Sequence, residues 1–434
     1  MRDEKREKIL ELVREYYREK NEDNKIFIPG VSPIHASGIT VRSKDIVSIV
    51  NTALDGWFTE FKACEQFRLK LKAHLDKKHC VLTNSGSSAS LVAMSTMLEL
   101  FPSRKFVLTT ALAFPTTVAP IYQNNSIPIY VDVDLKTLSP NMSQVEEFIK
   151  KHNVSGAIFT HTMGVPYPEH LVRELLGEDK FLISDGCDAL GARVKQGDAL
   201  GNYSDMLTLS FFPAHQISTA GEGGAVLFNK EEYYKPAFSF VNWGKSCYCS
   251  PGQDNICGKR FSHVNQGKLP YGYDHKYVFD RIGYNLKMTE LQAAMGGTQI
   301  DFIDSEVTAR RENYLLLYLA LSQDNEEYLT VGSTFPVGNS SPFGFPIYVK
   351  EGAPFTAKKL IAYLEDHKIR TRRFFAGNIT KQPGYKDMPY IYTNLSVTDY
   401  IMNNGFWIGC HSGITTQMVE YVKQTMNDFM SKYK

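Results

Sequence analysis

The alternation of short apolar runs with helical patterns between Lys78 and Asn229 constrains the fold of this chain more than any other feature. "CVLT" (80–83) precedes "SASLVAMSTMLEL" and "KFVLTT" precedes "TTVAPIYQN"; "PIYVDVD", "GAIFTHT", "KFLISD", "MLTLSFF" and "GGAVLFN" follow. Such runs are too short and too uniformly apolar for surface helices, and read as strands buried on both faces. Helical segments joined to them by short loops supply the crossovers that parallel strands need. The expectation is an α/β fold with a mostly parallel sheet. Ligands of such sheets sit on the loops beyond the strand ends, and nearly every unusual residue of this chain lies at the end of one of these runs.

A length of 434 residues accommodates a large and a smaller domain. The expected division is an N-terminal helix and arm over 1–37, a large domain over 38–300, and a small α+β C-terminal domain over 301–434. The N-terminal "MRDEKREKILELVREYYREK" is too charged for a signal peptide. Its Ile9, Leu10, Leu12, Val13, Tyr16 and Tyr17 form one stripe of an amphipathic helix, packed on the body or on a partner subunit. A formal net charge of +1 provides no field for nucleic acid or an anionic membrane. No run of about 18 apolar residues is present to span a bilayer, so a cytoplasmic enzyme is the expectation. One segment, 243–280, breaks the α/β rhythm: it is rich in Gly, Pro, Cys and Tyr and has no period. A loop of that length inside a domain usually serves a function.

Three stretches carry recognisable chemistry. "TNSGSSAS" (83–90) follows a strand and opens a helix. Gly86 permits close approach of backbone, Ser87 and Ser88 offer hydroxyls, and the helix start offers unpaired N–H groups for a phosphate; an ordinary N-cap has the same composition. "FLISDGCDALGA" (181–192) ends a strand on Asp185, with Asp188 behind it. A carboxylate there could hold the ring nitrogen of a pyridoxal-type cofactor or could simply cap a helix. Phe114, in "ALAFPTT", could stack on a ring or belong to the core.

Taken together, the Ser-Gly-Ser helix start, the aromatic after the next strand, "SDGCDALGA", "SFFPAH...GEGGA" and "GYNLKMTELQAA" resemble the pyridoxal-phosphate-dependent sugar aminotransferase and dehydratase family. That resemblance runs from about Ile39 to the C-terminus. It implies the aspartate-aminotransferase type of fold (PLP fold type I), with Gly86 and Ser87 in the phosphate loop, Phe114 on the ring, Asp185 on the pyridinium and Ser210 as a second phosphate contact. It also implies that Asn285 reaches the phosphate of a neighbouring subunit, hence a homodimer. The family lysine would stand five residues after Ser210, where this chain has His215. A histidine cannot tether pyridoxal phosphate covalently, but an imidazole is a good proton carrier near neutral pH. The chemistry suggested is proton removal at C4′ of pyridoxamine phosphate joined to a keto-sugar, followed by loss of the neighbouring hydroxyl: dehydration rather than amino transfer.

Seven cysteines, an odd number, argue against a disulfide framework. Cys187, Cys247, Cys249 and Cys257 have the spacing C-x59-C-x-C-x7-C, a set of four thiols that suits a [2Fe–2S] cluster or a zinc ion. Spacing alone leaves that choice open, whereas the position of Cys187 beside Asp185 favours a redox role. "WGKSCYCSPGQDNICGKRF", "LPYGYDHKY", "RFFAGN" and "FWIG" further resemble the iron–sulfur 3-dehydrases of 3,6-dideoxyhexose synthesis, of the type acting on CDP-4-keto-6-deoxyglucose. The resemblance implies pyridoxamine phosphate and a [2Fe–2S] cluster on those cysteines. Electrons would come from a separate NADH-dependent flavin and iron–sulfur reductase. A cluster-free dehydratase or aminotransferase-like enzyme, its cysteines structural or zinc-binding, is the alternative. Phe212, where a tyrosine is expected, and "WFTEFKACEQF" (57–67) depart from that pattern. Asp188, Phe375 and His411 are candidates for the substrate pocket.

Overall fold

The computed structural model describes residues 2–23, 26–102, 105–249, 252–262, 267–323, 325–332 and 338–433. The amphipathic N-terminal stripe forms α1 (Arg2–Asp23), and an arm leads to α2 (Ser43–Ala53) and α3 (Lys62–Leu75). The alternating region follows as β1 (His79–Thr83), α4 (Gly86–Leu100), β2 (Phe106–Thr110), α5 (Pro115–Gln123), β3 (Ile127–Val131), α6 (Met142–Lys151), β4 (Val154–Thr160), α7 (Glu169–Leu176), β5 (Phe181–Asp185), β6 (Met206–Ser210) and β7 (Gly224–Phe228). Next come α8 (Tyr234–Val241), α9 (Glu290–Gln299) and the long α10 (Ile303–Leu321). The chain ends with β8 (Leu329–Val331), β9 (Phe345–Val349), α11 (Ala357–Asp366), β10 (Thr371–Arg372), α12 (Ser396–Asn404), β11 (Gly405–Ile408) and α13 (Thr416–Met430).

Seven strands make one sheet in the order β1-β7-β6-β5-β4-β2-β3. Its neighbours are parallel except around β7, which runs antiparallel to β1 and β6. Successive side chains of a strand point to opposite faces, and that alternation assigns the covering helices. Cys80, Leu82, Leu207, Leu209, Ala225 and Leu227 pack on one face with Phe67 and Leu71 of α3 and Ala293 of α9. Val81, Met206 and Val226 point the other way, onto Val92, Ala93 and Met97 of α4 and Ala237 of α8. Further along the sheet, Leu108, Ile129, Ala157 and Leu182 meet Val145 and Phe148 of α6 and Val172 and Leu176 of α7. The strand order reverses around β1 and β7, and the register pairs Thr83 with Gly224, Ser210 with Gly224, and Asp185 with Thr208. One edge of the sheet therefore carries the ends of β1, β5 and β6 side by side.

A second sheet, β10-β11-β9-β8, is antiparallel throughout. It shares a core with α11, α13 and the end of α10 through Leu317, Leu321, Phe345, Ile347, Leu360, Leu364, Val422 and Met426. The irregular segment after α8 is tied to the body by bridges Asn242–Asn285 and Lys245–Phe279. The Arg260–Asp274 ion pair, at 2.6 Å, closes it internally. Among the described residues, no helix is long and apolar enough to cross a membrane.

Candidate active site

The strand edge opens into a cavity of about 910 Å³ between the two sheets. At its floor, β1 turns directly into α4. Ser85 is extended (φ −164°, ψ 162°) and its hydroxyl accepts the Ser88 N–H at 3.1 Å, which starts the helix. The free N–H groups of that first turn form the positive end of the helix dipole. Two glycines let three chain segments converge here. A Cβ on Gly86 would lie 2.4 Å from the Cβ of Ser210, and one on Gly224 would lie 2.3 Å from the Ser85 carbonyl oxygen. Gly86, Ser87 and Ser210 all line the cavity, and the Ser87 hydroxyl donates to Thr116 Oγ1 at 2.9 Å. Hydroxyls and unpaired N–H groups at a helix start suit a phosphate monoester.

Asp185, at the end of β5, is buried and lines the same cavity. The Thr117 hydroxyl donates to its Oδ2 at 2.6 Å, and the Cys187 N–H donates to Oδ1 at 3.2 Å. These bonds fix the carboxylate from below, as a partner for a ring N–H must be fixed. Phe114 precedes Pro115, the first residue of α5, and is 51% exposed although it stands in a pocket. It meets Phe375 edge-on, with centroids 6.5 Å apart. Phe375 has φ +43°, a conformation that costs a bulky residue about 1–3 kcal/mol and tends to mark functional loops. A phosphate cradle, an anchored carboxylate and an exposed aromatic along one wall fit pyridoxamine phosphate.

His215 lines the cavity in the loop after β6. Its side chain is 13% exposed, and its ring packs against Phe343 at 5.3 Å. Nδ1 is buried without a hydrogen-bond partner and faces Asp188 Oδ1 at 3.7 Å, which is too long for a hydrogen bond. Burial, reinforced by the Arg310 guanidinium, pushes the imidazole down to about 3. Burial and the neighbouring Asp185 push Asp188 up to about 8, against the Met163 N–H that it accepts at 3.2 Å. Both partners are therefore uncharged at neutral pH, and the contact is not an ion pair. An uncharged imidazole is the form that accepts a proton. Among the described residues, no lysine lines the cavity.

The structure departs from the sequence at His411 and at the cysteines. His411 does not line the cavity; its ring lies behind Gly38, bonded to the His35 carbonyl at 3.2 Å. Asn285 does not line the cavity of its own chain, where no role was expected of it; its side chain accepts from Lys287 at 2.8 Å. The four cysteines are not gathered: among the described residues, no group of three or more His, Cys, Asp and Glu is placed to hold a metal ion. Cys187 lies half-buried against Asp185, on the cavity wall, and desolvation pushes its thiol far up. Cys247 is also pushed up, by burial and the adjoining Cys249. Asp188 and Phe375 do line the pocket, as does the half-exposed Phe212. Sequence reasoning missed Thr117, Arg372, Arg373 and Trp407 on its walls. The "TRRFF" run (371–375) was the available signal, a pair of cations beside two aromatics.

Comparison with known proteins agrees with this geometry. The model of the DegT/DnrJ/EryC1/StrS aminotransferase family matches residues 41–427. The lipopolysaccharide biosynthesis protein RfbH of Salmonella typhimurium is 39% identical over 433 residues, 98% of each chain. The dTDP-4-dehydro-2,6-dideoxy-D-glucose 3-dehydratase of Saccharopolyspora spinosa is 36% identical over 98% of this chain and 92% of its own. Among solved structures, the GDP-4-keto-6-deoxymannose-3-dehydratase with bound GDP-perosamine superposes with a TM-score of 0.79 at 22% identity, over 91% of this chain and 99% of that one. The E. coli GDP-4-keto-6-deoxy-D-mannose-3-dehydratase with bound hydrated PLP gives 0.78 at 22% identity, over 90% and 98%. The fold is thus that of the PLP fold type I aminotransferases, as the strand pattern and motifs led us to expect.

Proposed function

The chain belongs to the DegT/DnrJ/EryC1/StrS aminotransferase family, and from that premise we propose that it removes the C-3 hydroxyl of a nucleotide-linked 4-keto-6-deoxysugar, with pyridoxamine phosphate as its cofactor. The observation that carries this reading is His215, in a cofactor cavity that no described lysine lines. Without a lysine amine the cofactor is held by its phosphate, its ring nitrogen and its faces. Its own amine then stays available to the sugar.

Each residue has a task in this scheme. The start of α4, with Ser87 and Ser210, holds the phosphate. Asp185, steadied by Thr117, keeps the ring nitrogen protonated. Phe114 packs on the ring face. His215 takes the proton from C4′ as a free base, and Asp188, uncharged beside Nδ1, leaves that base without a counter-ion. Pyridoxamine phosphate, when bound, would supply an amine to condense with the 4-keto group, a ring to accept the electron pair freed at C4′, and the two electrons by which the C-3 hydroxyl is replaced by hydrogen, leaving pyridoxal phosphate and ammonia.

The relatives support a 3-dehydratase acting on a nucleotide-linked sugar; the substrates they are named for carry dTDP or GDP, whereas the cysteine-loop resemblance points to CDP. A homodimer is part of the proposal, with Asn285 serving the neighbouring site. The finer reading adds a [2Fe–2S] cluster and an NADH-dependent reductase. Adjacent Cys247 and Cys249 support it, and the dispersal of the full set opposes it. No step is therefore assigned to a cluster, and the cluster-free dehydratase is the reading favoured here.

The test is conversion of CDP-, GDP- and dTDP-linked 4-keto-6-deoxysugars by protein loaded with pyridoxamine phosphate, followed by mass spectrometry. Loss of one oxygen atom from one of them, its C-3 hydroxyl replaced by hydrogen, is expected, with release of one ammonia. Gain of an amino group without loss of the C-3 hydroxyl would make the enzyme an aminotransferase and end the proposal.

A further inference from the structure

Arg310, on α10, is among the largest fully buried side chains of the protein, with 1% of its surface exposed. A buried guanidinium is expensive unless a carboxylate compensates it. Among the described residues no carboxylate lies within ion-pair distance of Arg310: Glu306, one turn earlier, is bound to Arg42 and acts on Arg310 only from farther away. Its donors go to backbone carbonyls instead. Nη2 reaches His215 O at 3.1 Å and Gly38 O at 3.4 Å, Nη1 reaches Pro342 O at 3.2 Å and Phe343 O at 3.5 Å, and Nε has no partner. Those carbonyls belong to the loop carrying His215, the arm beside the cavity mouth, and the segment carrying Phe343. Phe343 is the residue whose ring packs on the His215 imidazole.

We propose that Arg310 is a positioning residue for the proton-transfer step: its guanidinium clamps the His215 loop to the segment carrying Phe343 and to the arm at Gly38. The inference rests on His215 being the base. The charged and titratable groups around that ring are Asp188 on the β5 side, Arg310 on α10, Asp185 and Glu222 on the cavity floor, and Arg372 and Arg373 on the wall from the second sheet. Four bonds to carbonyls resist movement of the loop and hold the imidazole in place for a proton transfer over hydrogen-bond distance.

The experiment compares wild type, R310K, R310Q and H215N, each loaded with pyridoxamine phosphate. It reads two quantities, cofactor affinity and solvent exchange of the C4′ proton in the presence of substrate. The expected result for R310Q is exchange lowered about 100-fold at pH 7.5 with cofactor affinity within threefold. R310K, which keeps the charge but loses the forked donors, should fall between R310Q and wild type. An unchanged rate in R310Q would overturn the inference, as would a parallel loss of affinity and rate in both variants. If neither variant folds, the Arg310 guanidinium N–H protons of the wild-type protein decide by NMR: exchange with solvent far slower than that of a surface arginine supports the clamp, and exchange at the surface rate overturns it. H215N separates the two levels. Full exchange in H215N would remove the base itself, whereas loss in H215N with none in R310Q would remove only Arg310.

Discussion

A histidine buried without a hydrogen-bond partner for Nδ1 costs stability unless it does something in return. Its effect on stability has a definite sign. In the unfolded chain the ring takes up a proton near pH 6.5, whereas in the fold burial and Arg310 defer that to about 3. The unfolded state therefore binds more protons between those limits, and stability falls as pH drops through that window. Replacing His215 with Asn removes this dependence. The H215N protein should gain on wild type as pH falls from 7.5 to 5, by up to about 2 kcal/mol, in urea unfolding at the two pH values. A constant difference would mean that the ring is not held neutral. At this scale the sequence was informative: His215, Asp185, Ser210 and Phe114, singled out by their motifs, all line one cavity. Arg310 was not legible, because nothing in "TARRENY" distinguishes a buried arginine from a solvated one; only the carbonyls that converge on it do.

Among elements, the site depends on two starts of helices. Gly86 opens α4 so close to Ser210 that any side chain must displace one of them. Gly86→Ala should weaken pyridoxamine phosphate binding at least about tenfold, some 1.4 kcal/mol, in a fluorescence titration, since the cradle's geometry is its affinity. The start of α3 is held differently. Glu290, in "KMTELQAA", is buried, and its carboxylate accepts the N–H groups of Phe61 at 2.5 Å, Ala63 at 2.8 Å and Cys64 at 3.0 Å. Glu290→Ala would orphan three donors, one buried and two partly so, and should lower the unfolding free energy by about 2 kcal/mol, measured by denaturant titration. The strands were legible because each is an apolar run with period-two partners on either face. The α3–Glu290 cap was not, because its two halves lie 226 to 229 residues apart and no local pattern joins them.

For the molecule as a whole, the two sheets enclose one cavity that takes its phosphate cradle and base from the large sheet and Arg372, Arg373, Phe375 and Trp407 from the side of the smaller one. The order of motifs along the chain revealed this arrangement; the placement of the cysteines did not follow, since spacing says nothing about which way a thiol turns. Anaerobically purified protein should hold less than about one iron and one acid-labile sulfide per chain, against the two of each that a [2Fe–2S] cluster needs. Two of each, with the matching visible absorption, would restore the redox reading. The central claim is that His215 moves the proton at C4′ in a site with no lysine. Its most direct test loads wild-type and H215N protein with pyridoxamine phosphate deuterated at C4′, adds the 4-keto-sugar substrate, and follows loss of deuterium to solvent. Rapid loss from the wild type and none above background from H215N is the predicted result; equal loss from both would contradict the account.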